Sequence, residues 1–409
     1  MTSHDPDPAR AGEHITVPMP SEQSLRDTIT LLADIERGAT SAGETEAAEW
    51  IAERLGGLDV DVTIDVETAR DSYAPLCSKI CAAGVAAGVL TLAGLRRPGA
   101  LLAAGATAAL VDESSNGPRL LREAVVPAGT TTNVVGIGGD RSADRTVVLM
   151  AHHDAAPTGA IFDPSFQQWL GKTFPTIVER IDTSLPIWWP VVGGPALVAL
   201  GGLTRRRRMI LAGTVLSAAT SAAFADIARS PIVPGANDNL SAVASLIAVA
   251  EALVERPVKG VRVMFASCGA EETLQEGMRR FAARHLRTLD RQRTWVLNLD
   301  TVGSPRLVML EGEGPMIMEE YPRREYRDLV AETAQRAGIR LRRGMRARSS
   351  TDSVIAARMG FPTATLVSVD ANKALSNYHL MTDTADRVDY GTVARAATLA
   401  ECVVRELAD

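Results

Sequence analysis

Apolar positions recur along the chain in two alternating rhythms, one of period near four and one of period two. Leu25, Ile29 and Leu32 fall on one face at helical spacing. Ser41 followed by Glu44 has the form of a capping box, heading a second helix that carries Ala47, Ile51 and Leu55. Val60, Val62, Ile64 and Val66 then alternate with polar residues, which predicts a strand with one wet face at a sheet edge. Short apolar runs predict further strands at residues 133–137, 147–150, 261–266, 295–299, 307–310 and 363–367. Between them, residues 240–254, 278–286, 326–337 and 392–407 have the length and spacing of helices that cover a sheet. Strands alternating with helices make this an α/β fold.

Two stretches break that rhythm. Residues 76–110 hold two apolar segments separated by Arg96-Arg97-Pro98-Gly99, and residues 187–225 hold two more separated by Arg205-Arg206-Arg207-Arg208. Each reads as an apolar helical hairpin. Segments of about 16 to 20 apolar residues lie at the lower edge of what a bilayer requires. Their Gly, Ala and Ser suit close helix packing. Trp188 and Trp189 fit a membrane interface, and basic tips favour the cytoplasmic side. The expectation is contact with a lipid bilayer at the cell membrane, with the rest of the chain on the extracytoplasmic side. The alternative is a cytoplasmic protein whose hairpins pack on its soluble domain or on a partner subunit. Residues 1–20, with prolines and charges but no periodicity, read as a disordered tail without the basic start and apolar core of an export signal. Residues 21–407 read as a single domain that the two hairpins interrupt.

Composition narrows the function. At 46% hydrophobic and 22% charged, the 409 residues can bury a large core. A net charge of −6 leaves no basic footprint, so no nucleic-acid partner is expected. Cys77, Cys81, Cys268 and Cys402 form no Cys-x-x-Cys pair and are expected to be free and buried. The chain has six histidines. Histidine chemistry therefore has few candidates.

The apolar run ending in Phe265-Ala266-Ser267-Cys268-Gly269-Ala270-Glu271-Glu272 places two adjacent carboxylates at the carboxyl end of a strand, where open α/β sheets form their ligand crevice. Neighbouring side chains point different ways, so one can bind a metal while the other meets a reacting water. Another strand end carries Ala151-His152-His153-Asp154, in which Asp154 can orient the His152 imidazole and His153 points away. Gly235-Ala236-Asn237-Asp238-Asn239 opens a helix, where Asp238 serves as a cap or as a ligand. Asn298-Leu299-Asp300 ends an apolar strand, and Asn377-Tyr378-His379 lies in the loop after the last one. Taken singly, each is an ordinary turn or loop. Together, two imidazoles and three carboxylates (His152, Asp238, Glu272, Asp300, His379) suit a pair of zinc ions bridged by one carboxylate. That leaves Glu271 as general base.

These five motifs, in this order, resemble the co-catalytic di-zinc aminopeptidase family, which includes bacterial leucyl aminopeptidases and glutamate carboxypeptidases, with glutaminyl cyclases and transferrin receptors as relatives. The resemblance covers residues 21–407 apart from the hairpins. It implies the zinc exopeptidase fold, a mixed and mostly parallel central sheet with helices on both faces. It implies two Zn2+, one held by His152 and Asp300, the other by Glu272 and His379, with Asp238 between them. The implied reaction is hydrolysis of a peptide or small amide substrate, most simply by an aminopeptidase, with Glu271 taking the proton of the attacking water and Tyr378 aiding the oxyanion. Thr351-Asp352-Ser353 and Gly360-Phe361-Pro362 resemble the family's segment before the last strand. His153 stands where the family usually has Tyr, and the usual Gly-rich run after Glu272 is missing. A glutaminyl cyclase-like acyl transferase and a non-catalytic membrane scaffold of the same fold are the alternatives. The basic run from Arg342 to Arg348 reads as a solvated loop or a contact for a substrate carboxylate.

Overall fold

The computed structural model describes residues 15 and 17–408, so most of the expected disordered tail lies outside the described residues. A nine-stranded sheet runs through the molecule: β1 Asp61–Ala69, β2 Gly129–Gly139, β3 Thr146–His152, β4 Arg262–Cys268, β5 Thr294–Leu299, β6 Arg306–Glu313, β7 Glu319–Glu320, β8 Arg342–Ala347 and β9 Thr363–Val369. The order is β1-β2-β4-β3-β5-β9-β6-β7, with β8 added beside β6. The sheet is mixed. Its central strands β4, β3, β5 and β9 are parallel, so their carboxyl ends share one edge, while β1, β2 and β7 pair antiparallel and β6 meets β9 in the same way.

Successive residues of the central strands alternate between two apolar layers, which is why these runs carry almost no polar residues. Val147, Leu149, Phe265, Leu297 and Leu366 face one layer. There they meet α1 (Glu22–Ala33), α2 (Ala42–Gly56), α10 (Ser241–Glu255), α12 (Arg324–Arg336) and α14 (Tyr390–Glu406). Val148, Met150, Met264, Ala266 and Val296 face the other. Here they meet α11 (Glu276–Arg284) through Met278 and Phe281, and α13 (Ser353–Arg358) through Val354 and Ile355. Helices thus cover both faces, as the pattern predicts. Two expectations need correction. β1 lies at the edge, but Ile64 and Val66 are its wet residues, because Glu67 and Asp65 turn inward to pair with Arg284 and His285 of α11. The basic run after Leu341 is no loop: it is β8, and its arginines pair with Glu179, Glu311, Asp328 and Glu320.

The hairpins are α3 (Ala74–Leu92) with α4 (Arg96–Ser114), and α8 (Trp188–Thr204) with α9 (Arg207–Ile227). The short α5 (Leu120–Val125), α6 (Ser165–Thr173) and α7 (Pro175–Arg180) lie outside them. Though far apart in sequence, the two hairpins join in one four-helix bundle, α3 against α4 and α9, α8 against α9 and α4. Its buried clusters include Leu110, Val198, Ile210 and Phe224, and small residues stand where its helices approach most closely. A Cβ added at Gly213 would lie 2.5 Å from the Gly194 carbonyl oxygen, and one at Gly84 would lie 2.9 Å from Ser217 Oγ. Ser78 and Ser221 exchange hydrogen bonds across α3 and α9, each hydroxyl donating to the other's backbone carbonyl at 2.9 Å. Other large residues point outward, with Leu101 74%, Leu203 73% and Val215 68% exposed. Helices α3 and α9 are long and apolar enough to cross a membrane, and so is the segment Ala236–Glu255, which is buried against the sheet. The four cysteines are free and buried, as expected.

Candidate metal centre

Because β3, β4, β5 and β9 run parallel, residues placed just beyond their ends converge. His152 ends β3, Asp300 follows β5, Glu271 and Glu272 lie in the loop after β4, and His379 lies in the loop after β9. The loop before α10 adds Asp238. Its carboxylate does not cap that helix: Oδ1 lies 3.4 Å from His152 Nε2 and Oδ2 lies 3.4 Å from His379 Nε2. His379 Nε2 is also 3.3 Å from Glu272 Oε2. Asp300 lines the same cavity.

The loops are locked from below. Asp383 accepts hydrogen bonds from the amides of Asn237 (2.9 Å) and Asp238 (3.0 Å), and the buried Arg37 donates to the Gly235 carbonyl at 2.7 Å. Burial pushes the Asp383 carboxyl up to about 7 and lowers Arg37 to about 10. The Asp238–Asn239 peptide is cis. Asp154 lies under the opposite side, where its two oxygens accept from the amides of Glu271 and Glu272, both at 3.0 Å. His152 Nδ1 is 3.2 Å from the Asp154 carbonyl and 3.4 Å from its carboxylate. Asp154 therefore touches the imidazole, the proposed base and a proposed ligand at once. His153 turns away, its Nδ1 3.0 Å from Ser267 Oγ.

Do these residues fit zinc? Nitrogen and oxygen ligands about 2.0–2.1 Å from a tetrahedral ion stand about 3.3 Å from one another. The imidazole–carboxylate contacts of 3.3–3.4 Å have that spacing and are long for hydrogen bonds. One ligand atom each from His152, Asp238 and Glu272 lies within 4.8 Å of the others. Neither ring nitrogen of His379 has a hydrogen-bond partner, though both are buried. A buried orphaned imidazole is costly unless something else engages it, and the donor set therefore fits a zinc site.

The electrostatics agree. Burial alone would lower both imidazoles, but Asp154 and Asp238 raise His152 well above its ordinary value, and Glu272 and Asp238 raise His379 to about 10. Burial works to raise Asp238, yet its contacts with the two histidines carry it below the usual carboxylate range. The cage thus favours cations: protons without metal, metal in their place. Burial pushes Glu271 well above the carboxylate range. Its Oε1 accepts from Gln275 Nε2 at 3.0 Å. Burial likewise raises Tyr378, whose neutral ring stacks on His379 with centroids 3.9 Å apart.

Four residues enter that the sequence did not single out as functional. Glu44, expected only as part of a capping box, sends Oε1 inward to accept from the Ala270 amide at 2.6 Å and from Thr131 Oγ1 at 2.7 Å. Its Oε2 accepts from the Thr40 amide at 2.9 Å. Gln275 ties Glu271 to the Ser350 carbonyl. Arg119, from the loop after the first hairpin, donates to the Leu274 carbonyl and, at 3.4 Å, to Gln275 Oε1. Asp352 is 1% exposed with no partner for either oxygen, and burial raises its carboxyl well above the usual range. Glu44 carried a local signal, as part of a capping box, and Asp352 carried one through the resemblance of Thr351-Asp352-Ser353; Gln275 and Arg119 carried none.

Residues 220–404 match the model of Peptidase family M28. That stretch contains Asp238, Glu271, Glu272, Asp300 and His379 and stops short of His152. A search of curated proteins gave no match. Among solved structures, an aminopeptidase from Aneurinibacillus sp. strain AM-1 is 14% identical with a TM-score of 0.54, covering 94% of this chain and 93% of its own. The Bacillus subtilis zinc aminopeptidase BSAP is 15% identical with a TM-score of 0.55, covering 95% and 96%. A Bacteroides thetaiotaomicron glutaminyl cyclase is 14% identical with a TM-score of 0.57, covering 95% and 99%. The fold is the zinc exopeptidase fold.

Proposed function

We propose that this chain is a zinc-dependent metallopeptidase of the M28 type, using two zinc ions and acting as an aminopeptidase. The family match over residues 220–404 and the zinc aminopeptidase fold support the coarser reading. The observation that carries it is the necklace His152–Asp238–His379–Glu272, with successive contacts of 3.4, 3.4 and 3.3 Å. Asp238 offers one oxygen to each histidine, the arrangement of a carboxylate shared by two ions. His152 and Asp300 would complete one site, His379 and Glu272 the other.

Bound zinc supplies Lewis acidity and makes water acidic near neutral pH. The chain's own residues do the rest. Glu271 accepts the proton of the attacking water and returns it to the leaving amine. Gln275 holds one of its oxygens, and Asp154 fixes its backbone amide. Tyr378, kept neutral, lines the cavity as a hydrogen-bond donor for the developing oxyanion. The arginine and lysine that line the cavity are engaged, Arg346 with Glu320 and Lys373 with the carbonyls of Glu179 and Ile181. A free carboxylate finds no counterpart there, which supports an aminopeptidase over a carboxypeptidase.

We read the bundle as the contact with a lipid bilayer, from its outward leucines and valines, the two apolar spans and the basic turns at one end. With those turns cytoplasmic, the catalytic domain is extracytoplasmic. Elemental analysis of purified protein should give two zinc ions per chain, and Asp238→Ala should lose metal; an intact count in that variant removes the shared-ligand role. A panel of aminoacyl, carboxypeptidase and glutaminyl substrates should show release of amino-terminal residues. Pyroglutamate formation alone would transfer the site to a cyclase. Release of the protein from membranes by alkaline carbonate would sink the bilayer reading.

A further inference from the structure

The metal centre lies between two lobes of one cleft, and different parts of the molecule wall them. Glu271, Glu272, Ser349, Ser350 and Tyr378 border both. The first lobe, about 700 Å3, is completed by the sheet, through Leu310, Met345, Val367, Val369 and Leu375. The second, about 600 Å3, is completed by the near end of the four-helix bundle. Tyr73 precedes α3, Glu113 and Ser114 close α4, and Trp188 opens α8; Phe162 and Leu274 add apolar wall, and Asn116, Arg119 and Gln275 add polar wall.

We propose that the second lobe is the subsite for the amine-side portion of the substrate, and that the two hairpins make it select an apolar or aromatic residue there. The inference rests on the peptidase reading. With the proposed base on the floor between the lobes, a scissile amide placed beside it sends its acyl side into one lobe and its amine side into the other. Length decides which. An aminopeptidase takes one residue on the acyl side and a leaving segment of any length on the amine side, and the second lobe reaches a rim at the half-exposed Ile187 where such a segment can leave. In the second lobe the extra carboxylate, Glu113, is neutralised by Arg122 at 2.5 Å, both side chains being at most 1% exposed.

The second lobe is aromatic for a structural reason. Tyr73 packs on Trp188 and on Phe224 of α9, with ring centroids 6.1 and 6.0 Å apart, which fastens both hairpins at this end. Phe162 continues the surface to the metal centre, 4.5 Å from the His379 ring and 5.9 Å from Tyr378. Its one lining arginine, Arg119, is committed to the Leu274 carbonyl and Gln275. A charged leaving residue would lose its hydration here without gaining a counter-charge, whereas an apolar one gains from burial. At the rim, Ile187 is 53% exposed, leaving a way out for a longer leaving segment.

The test uses the full chain, loaded with zinc in detergent, and three substrates: the dipeptides Leu-Phe and Leu-Asp, both amidated at the α-carboxyl so that only the side chain differs in charge, and leucine amide, whose leaving group is ammonia and does not reach the second lobe. The wild type should favour Leu-Phe over Leu-Asp by about tenfold or more in kcat/KM. Trp188→Ala should lower the ratio of kcat/KM for Leu-Phe to that for leucine amide by about tenfold, chiefly through KM, and Trp188→Phe should restore most of it. Both substrates are read on one sample, so partial unfolding cancels from the ratio. An unchanged ratio in Trp188→Ala, or a wild-type preference for Leu-Asp, overturns the subsite. Failure of the wild type to hydrolyse any of the three overturns the peptidase reading itself, and the subsite falls with it.

Discussion

The sheet domain and the four-helix bundle solve the packing problem in opposite ways. Around the sheet, large residues such as Phe265, Phe281 and Leu149 are buried, and helices such as α11 and α12 present charge to the outside. In the bundle, glycine and serine stand where the helices approach most closely, Val198, Ile210 and Phe224 are buried around them, and Leu101, Leu203 and Val215 face out. Burial of large apolar side chains is the driving force where the surroundings are water. Where they are hydrocarbon, close backbone approach and interhelical hydrogen bonds hold helices together, and Ser78 with Ser221 is such a pair. Under the bilayer contact proposed above, the two regions answer to different solvents. They meet at one buried polar joint: Arg122 pairs with Glu113 of α4, approaches Glu276 at 3.6 Å and donates to the Thr273 carbonyl at 2.8 Å.

The sharpest way to break the contrast is at that joint. Arg122→Ala leaves Glu113 buried without its partner, and stability should fall by about 3–5 kcal/mol, read by denaturant unfolding of the detergent-solubilised protein. A loss below 1 kcal/mol would mean that the two regions do not depend on each other there. Next is a change confined to the sheet domain: Glu271→Gln should keep the metal yet lower turnover by about a hundredfold or more, worth about 2.7 kcal/mol. Full turnover would remove Glu271 from the reaction.

A change confined to the bundle is smaller. At Gly88 an added Cβ would enter the space of the Thr214 side chain. Gly88→Leu should cost about 1–3 kcal/mol, whereas Gly105→Leu on the same hairpin, with nothing within 4 Å, should be tolerated. Equal effects would contradict small-residue packing. Smallest is a pH effect in the sheet domain. Burial raises the Glu313 carboxyl from 4.5 to about 8, so its folded form binds a proton more tightly than its unfolded form. Stability present below pH 4.5 is therefore lost as pH rises towards 8. In metal-free protein, Glu313→Gln should gain melting temperature over the wild type between pH 5 and pH 9, on the order of 1–3 °C. A difference that is flat with pH would show that Glu313 stays charged.

Much of the centre of the molecule is legible in the chain. The buried parallel strands are unbroken apolar runs, and their ends coincide with His152, Asp300 and the Glu271–Glu272 pair, so position along a strand places those groups at one edge. What escapes is whatever depends on two distant segments meeting. Glu44 reads as a helix cap because Ser41 is three residues away, while its other partners lie at Thr131 and Ala270. The arginines of β8 read as solvated because their acidic partners lie on other elements. Each hairpin is visible alone, yet their union is not, since nothing local tells α3 that it will meet α9. Periodicity also assigned the wet side of β1 to its polar residues; α11 supplies the basic partners that reverse it.

Gly269 sets a limit on which descendants of this chain can exist. A single methyl group at that position would occupy the space of the Glu44 carboxylate and the Thr131 hydroxyl, and one at Gly277 would strike the Gly269 carbonyl. Glu44 is the acceptor for the Ala270 amide, one residue before the proposed base. Two glycines eight positions apart are thus bound to each other and to a glutamate more than two hundred residues upstream, and neither glycine can gain a side chain while the others stay as they are. Gly105, Gly338 and Gly344, with no neighbour within 4 Å of an added Cβ, have no such steric tie.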